Sequence, residues 1–136
     1  MIKPIMKSEF FLRLPSEDAG PDDAATGQDL LDTLNEHEHE CVGLAANMIG
    51  VRKRIICVKD GNRALLMYNP QILEQVNDYQ TSEGCLSLIG ERPCTRYRRI
   101  KVEYLDENFV HRIKNFSGYT AEIIQHEIDH CNGIVI

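Results

Sequence analysis

Residues 125–130 read QHEIDH, which places the pattern H-E-x-x-H inside a run of residues that can all be helical. An α-helix returns to nearly the same face after four residues, so His126 and His130 lie one above the other and can share one divalent cation. Glu127 then stands beside that cation, where a carboxylate can take a proton from metal-bound water. The pattern predicts a metal-dependent hydrolytic site on a helix; the alternative is a solvated helix that carries two histidines.

A third protein ligand is expected upstream of this helix. Many zinc hydrolases take theirs from residues well downstream of the second histidine, but only residues 131–136 follow here. Cys131 would point about 100° away from the metal-facing side of a continuing helix. Cys85 is the strongest upstream candidate, since it follows Gly84 in a short apolar element, although a buried thiol without a metal explains a free cysteine equally well.

Three segments of the sequence together resemble the signature motifs of the peptide deformylase family. GLAA occupies residues 43–46, EGCLS residues 83–87 and QHEIDH residues 125–130, in that family's order and at about its spacing. The similarity extends over most of the chain, and three ordered motifs are much more specific than any one of them.

The resemblance implies a metal site and a reaction. Cys85, His126 and His130 would hold one divalent metal ion with water in the fourth position, and Glu127 would be the general base and then the general acid. The reaction would remove the formyl group from the N-terminal formyl-methionine of nascent bacterial proteins and release formate. Members of the family typically use Fe²⁺, and Zn²⁺, Ni²⁺ or Co²⁺ can occupy the same site.

Negative charge on the reacting oxygen needs hydrogen-bond donors. By the family's pattern the backbone N–H of Leu86 supplies one. The other is a glutamine at the end of the first motif, where this chain has Met48, and a thioether cannot donate. Loss of one such donor costs roughly a hundred- to a thousandfold in rate. Asn47 is not expected to replace it, because neighbours in an extended segment point to opposite sides, so Met48 either packs as an apolar residue or lines the substrate pocket.

The residues expected around the substrate come from the motif segments and their surroundings. They are Val42, Gly43, Leu44, Met48, Glu83, Gly84, Arg92 and Glu122. Glu122 lies one turn before His126, so it either faces the pocket, where deformylases usually have an apolar residue, or turns to solvent and complements the helix dipole. Arg92 follows Cys85 at a distance where the family often has an arginine near the peptide, although arginines in such runs often only face water.

Two further residues are expected behind the metal ligands. Carboxylates next to ligating helices often orient the ligands, which favours Asp129 for this role. Arg96 is the expected partner of Asp129 beneath the metal. A surface location is the alternative for Arg96, because Thr95 to Arg99 contains three arginines.

The length and net charge of the chain limit the classes of protein to which it can belong. The 136 residues suffice for one domain, residues 1–136, and the net charge of −6 argues against a specific nucleic-acid surface. A transient contact with the ribosome is still compatible with this charge. Charged residues and a proline interrupt the apolar positions of Met1 to Phe10, so no signal peptide or membrane span is expected. Five cysteines, an odd number, suit a reducing compartment, and the chain is expected to be cytoplasmic.

The hydrophobic pattern predicts an α+β fold, with antiparallel β-sheets packed around a central C-terminal helix that carries HEIDH, plus an N-terminal helix. The N-terminal helix should start near Pro21 and bury one face, and the C-terminal helix should begin close to Ser117 or Gly118. Strands are predicted at Arg54–Val58, Ala64–Tyr68, Ile72–Val76, Ile100–Leu105 and Val110–Phe116.

Two other functions fit the same residues. The first is a deformylase-like metalloamidase that acts on a different N-acyl or N-formyl substrate, which Met48 and Glu122 would permit. The second is a catalytically weak metal-binding homologue that acts as a binding protein, for example for nascent N-termini, because it has lost a donor.

Overall fold

The computed structural model describes residues 1–136, and five strands in it form one antiparallel sheet in the order β1-β2-β3-β4-β5. The strands are β1 (Gly43–Ala45), β2 (Ile55–Asp60), β3 (Arg63–Cys85), β4 (Leu88–Leu105) and β5 (His111–Ser117). Each strand pairs with its neighbour in sequence, so short turns connect β2 to β5. Gly61, with φ of +64°, makes the turn between β2 and β3.

The hairpin of β3 and β4 is much longer than the sequence pattern predicted. The two strands expected at Ala64–Tyr68 and Ile72–Val76 are parts of the single strand β3. Asn69 and Pro70 interrupt the apolar pattern between them, and the pairing register shifts between Tyr68 and Gln71 without ending the strand. The EGCLS segment therefore closes the far end of this hairpin, which the predicted strands left unassigned.

Three helices complete the fold: α1 (Glu9–Leu12), α2 (Ala24–Glu36) and α3 (Gly118–Cys131). The helix predicted near Pro21 begins there with one 3₁₀ turn that continues into α2. Leu30 and Leu34 of α2 are fully buried, because their spacing places them on the face that meets the sheet. No helix of this fold is long and apolar enough to be a candidate for crossing a lipid bilayer.

Helix α3 lies across the sheet and packs against β1, β2 and β4. It begins at Gly118, as predicted, and its apolar residues Ala121, Ile124 and Ile128 join the hydrophobic core. This packing buries His126, Glu127 and His130 of HEIDH as well, whereas Asp129 is half-buried. The α+β arrangement around a HEIDH-bearing helix is confirmed, with all the strands joined in one sheet.

Candidate active site

The two histidines of α3 point their Nε2 atoms at the same place. These atoms are 3.2 Å apart, and the side chains of His126 and His130 are both buried. Two ligands about 2.0–2.1 Å from a tetrahedral metal would be roughly 3.3 Å apart, so this separation fits a shared cation. Burial lowers the pKa of His130 to about 3, which keeps its imidazole neutral, as metal coordination requires.

Glu83 holds the outer nitrogen of His126. Its Oε1 atom lies 2.8 Å from Nδ1 of His126, so a proton on Nδ1 leaves Nε2 with a free lone pair. Glu83 was expected among the substrate-contacting residues, and it also lines the cavity described below. The sequence contains a signal for the contact between Glu83 and His126 that the motifs did not bring out. Glu83 and Cys85 are two residues apart on a strand, so they face the same side and Glu83 lies near the expected metal ligands.

Arg96 connects Glu83 to Asp129. Its Nε atom donates to both carboxylate oxygens of Glu83 at 3.1 Å, and its Nη1 atom donates to Asp129 at 2.7 Å. The Arg96 side chain is only 5% exposed, so these are buried charge-assisted hydrogen bonds and not solvated surface contacts. Burial acts to raise the pKa of Glu83, but hydrogen bonds from His126 and Arg96 outweigh it and hold that pKa well below its ordinary value.

Glu127 lies beside the two histidines and is almost fully buried. Its Oε1 atom has no hydrogen-bond partner, and burial raises the pKa of its carboxyl to about 7. Gly43 of β1 makes room for it. A Cβ atom at Gly43 would come within 2.7 Å of Ile123 and 2.9 Å of Oε2 of Glu127. The glycine of the GLAA segment is thus explained by the close approach of β1 to the carboxylate.

A cavity of about 670 Å³ opens beside this group, and Cys85 lines it together with His126 and Glu127. Cys85 is half-buried, at the end of β3. The three expected ligands do not form a ready-made site, since no three His, Cys, Asp or Glu side chains of the chain are arranged to hold a metal. What the fold brings together is the converging histidine pair, an unpaired carboxylate oxygen and a thiol on one wall, and this donor set suits a divalent metal such as iron or zinc.

Most of the residues expected around the substrate line this cavity. Those that do are Val42, Gly43, Met48, Glu83, Gly84 and Glu122, and Leu86, the expected oxyanion donor, lines it as well. Leu44 does not, because it is fully buried in the hydrophobic core. Arg92 does not either, and its Nη2 atom instead lies 3.6 Å from the carboxylate of Glu9. Tyr119 and Ile123 of α3 line the cavity too, although the motifs did not indicate them.

Met48 packs in the hydrophobic core and also lines the cavity. It lies in a 3₁₀ turn, Ala46–Ile49, and not in the extended segment that was expected. Its sulfur accepts a hydrogen bond from the backbone N–H of Ala45 at 3.5 Å. Asn47 does not replace it as a donor, because its side-chain amide donates to the carbonyl of His130 at 3.0 Å.

Glu122 lines the cavity on the same side as Glu83. The hydrogen bond to the ionised Glu83 is the main cause that raises the pKa of Glu122 to about 7, and burial adds to it. Of the two locations open for this residue, the structure therefore shows the one on the pocket wall.

Comparison with known proteins gives one consistent result. A profile of the family described as polypeptide deformylase matches residues 7–136. The chain is 52% identical to the peptide deformylase of Clostridium beijerinckii over the full length of both, and 38% identical to peptide deformylase 1 of Clostridium perfringens over 79% of this chain and 74% of that one.

Solved structures agree with these sequences. A class I type b peptide deformylase from Acinetobacter baumannii, in a crystal structure with Met-Ala-Ser bound, superposes with a TM-score of 0.89 at 29% identity and covers 99% of this chain and 97% of its own. Peptide deformylase from Thermotoga maritima gives a TM-score of 0.89 at 28% identity, over 99% of this chain and 95% of its own. The chain belongs to the polypeptide deformylase family.

Proposed function

We propose that Cys85, His126 and His130 hold the divalent metal of this deformylase and that Glu127 carries the proton during hydrolysis of the formyl group. The family makes the chain a hydrolase that removes formyl groups from the N-terminal formyl-methionine of nascent chains, with a divalent metal. One observation carries the residue assignments: the Nε2 atoms of two imidazoles converge at 3.2 Å beside an unpaired, buried carboxylate oxygen.

A bound divalent metal supplies Lewis acidity, which makes water acidic and polarises the formyl carbonyl. One thiolate and two neutral imidazoles leave such a site with a net charge near plus one and an open coordination position. Fe²⁺ is proposed as the physiological ion, with Zn²⁺, Ni²⁺ or Co²⁺ able to occupy the same ligands.

Glu127 is proposed to take a proton from the attacking water and to deliver it to the departing amine. Its Oε1 atom is free to do this, because no protein group holds it. The backbone of Gly43 closes one side of the carboxylate, since a Cβ atom there would come within 2.9 Å of its Oε2 atom. Formate and a free N-terminal amine are the products.

Leu86 is proposed to stabilise the negative charge that develops on the formyl oxygen, through its backbone N–H on the cavity wall. Met48 occupies the position of the family's second donor and donates nothing. The chain should therefore have a lower turnover number than deformylases that carry glutamine there.

The cavity is proposed to take the side chain of the substrate's first residue. Met48, Leu88 and Ile123 give it an apolar part that suits methionine. The substrates would be formyl-methionyl chains in the cytoplasm, met during a transient contact with the ribosome. Glu122 adds a carboxyl group to the wall, and this observation favours the alternative of a metalloamidase with a different N-acyl or N-formyl substrate.

A formate-release assay tests the proposal. Anaerobically iron-loaded protein is given a formyl-methionyl tripeptide and, in parallel, an acetyl-methionyl tripeptide. Release of formate that disappears in Glu127→Ala, with metal content unchanged, is the expected result. Metal uptake without formate release would contradict it, and faster release of acetate than of formate would favour the alternative substrate.

A further inference from the structure

Consecutive residues near the N-terminus contact two walls of the active site. The backbone N–H of Met6 donates to the carbonyl of Met48 at 2.7 Å. The Nζ atom of Lys7, the next residue, donates to the carbonyl of Leu86 at 2.8 Å. These hydrogen bonds join the turn that carries Met48 to the turn that carries Leu86, which otherwise come from distant parts of the chain.

The hydrogen bond from Lys7 to Leu86 lies at the turn between β3 and β4. Cys85 and Leu88 pair with each other across the hairpin, so Leu86 and Ser87 form its two-residue turn. The direction of the Leu86 N–H depends on how the backbone of this turn is held. A hydrogen bond from an ammonium group to a carbonyl is charge-assisted and stronger than one between neutral groups.

We propose that Lys7 is a positioning residue for the reaction: it fixes the turn at Leu86 so that the N–H of Leu86 points at the developing oxyanion. The proposal rests on the proposed function, which makes this N–H the oxyanion donor. Met48 supplies no donor, so the whole hydrogen-bonding stabilisation falls on Leu86, and a small rotation of one donor costs this chain more than it would cost an enzyme with two.

The residues on both sides of Lys7 hold its segment against the rest of the protein. Ile5 and Met6 are half-buried and pack against the hydrophobic core. On the other side, Glu9 lies 3.6 Å from Arg92 at the start of β4. Lys7 itself is exposed, so water screens its charge, and its main effect is to hold the turn and not to attract the oxyanion at a distance.

Three variants test the role of Lys7. Lys7→Met keeps the apolar stem and removes the ammonium group, and Lys7→Arg keeps a charged donor. Lys3→Met is the matched control, because it removes the same charge from the same segment at a residue that faces Asp29 of α2. We expect about a tenfold lower kcat in Lys7→Met with KM within twofold, most of the loss restored in Lys7→Arg, and no change in Lys3→Met. Equal kcat in Lys7→Met and the parent protein, or an equal loss in Lys3→Met, would overturn the proposal.

A second measurement separates this proposal from the proposed function. Backbone ¹⁵N relaxation of the zinc-loaded protein reports the order parameter of the Leu86 amide without any turnover. We expect a value near 0.85 in the parent protein and a fall to about 0.6 in Lys7→Met, with the amides of α2 unchanged. If the parent protein released no formate, the deformylase assignment would fail, while this readout would still decide whether Lys7 holds the turn at Leu86. An unchanged order parameter at Leu86 would overturn it.

Discussion

The Nδ1 atom of His126 and the Oε1 atom of Glu83 are 2.8 Å apart, across two elements that lie far apart in the sequence. This pair fixes the orientation of one proposed metal ligand. His130 has no equivalent, since its Nδ1 atom is buried without a partner. The site is therefore oriented from one side, through the chain of hydrogen bonds from Asp129 to Arg96 to Glu83 to His126.

Removal of Glu83 should weaken metal binding. In Glu83→Ala the Nδ1 atom of His126 loses its acceptor and Arg96 keeps a buried charge with only Asp129 beside it. Partners of this kind typically contribute 10- to 100-fold to metal affinity, so we expect a loss in that range. Competition with a chelator measures it. Glu74→Ala is the control on the same strand, because Glu74 makes only an exposed ion pair with Lys101, and an equal loss there would contradict the role of Glu83.

A donor restored at position 48 should speed the reaction. The side-chain amide in Met48→Gln can reach into the cavity that Met48 lines, and one oxyanion donor contributes roughly a hundred- to a thousandfold in other enzymes. We expect kcat to rise at least tenfold, with a smaller change in KM, in steady-state assays of formate release. Met48→Leu has a similar size and no donor, so a gain that both variants share would argue against a missing hydrogen bond.

Local geometry explains what the sequence could predict. The four-residue spacing in HEIDH is enough to place His126 and His130 on one helical face, and the strand-and-turn pattern is enough for an α+β fold. Cys85 is a candidate ligand from its place after Gly84, and the resemblance of EGCLS to a family motif favours it and adds Leu86. Both residues line the cavity.

Register explains most of what the sequence could not predict. Arg96 lies near Glu83 because β3 pairs with β4 from Tyr68 to Cys85, with Glu83 opposite Arg92. From there Arg96 also reaches Asp129 of α3. The break at Asn69 and Pro70 hid that length from the hydrophobic pattern. The sequence also could not determine whether Glu122 faces the pocket or solvent. A carboxylate in the first turns of a helix stabilises the helix dipole in either location.

A side chain at Gly43 should disturb Glu127. The Cβ atom in Gly43→Ala would need space already taken by Ile123 and Glu127, at 2.7 and 2.9 Å. Overpacking of this kind costs about 1–3 kcal/mol in the free energy of unfolding, and displacement of the proton carrier should lower kcat at least tenfold. Urea unfolding and formate release measure the two effects. Gly20→Ala is the control, because nothing lies within 4 Å of a Cβ atom at Gly20. Full activity in Gly43→Ala would show that the close approach is not needed.

The carboxyl pair of Glu122 and Glu83 should make stability depend on pH. The pKa of Glu122 is raised to about 7 in the folded protein, chiefly by the hydrogen bond to Glu83, from an ordinary value of 4.5. Between these two values the folded protein keeps a proton that the unfolded chain has lost, so the free energy of unfolding falls as pH rises through this range.

The variant Glu122→Gln should lose this dependence, because its amide does not titrate and can donate to Glu83 at any pH. We therefore expect the stability of Glu122→Gln, relative to the parent protein, to increase between pH 5 and pH 8 by on the order of 1 kcal/mol after solvent screening. Titratable groups that both proteins share contribute equally to the two free energies of unfolding, so their contributions cancel in the difference. Urea unfolding of the zinc-loaded proteins measures this difference. A difference that stays constant across the range would mean that the two carboxyl groups share no proton, and Glu122 would then act on the pocket wall as a fixed charge.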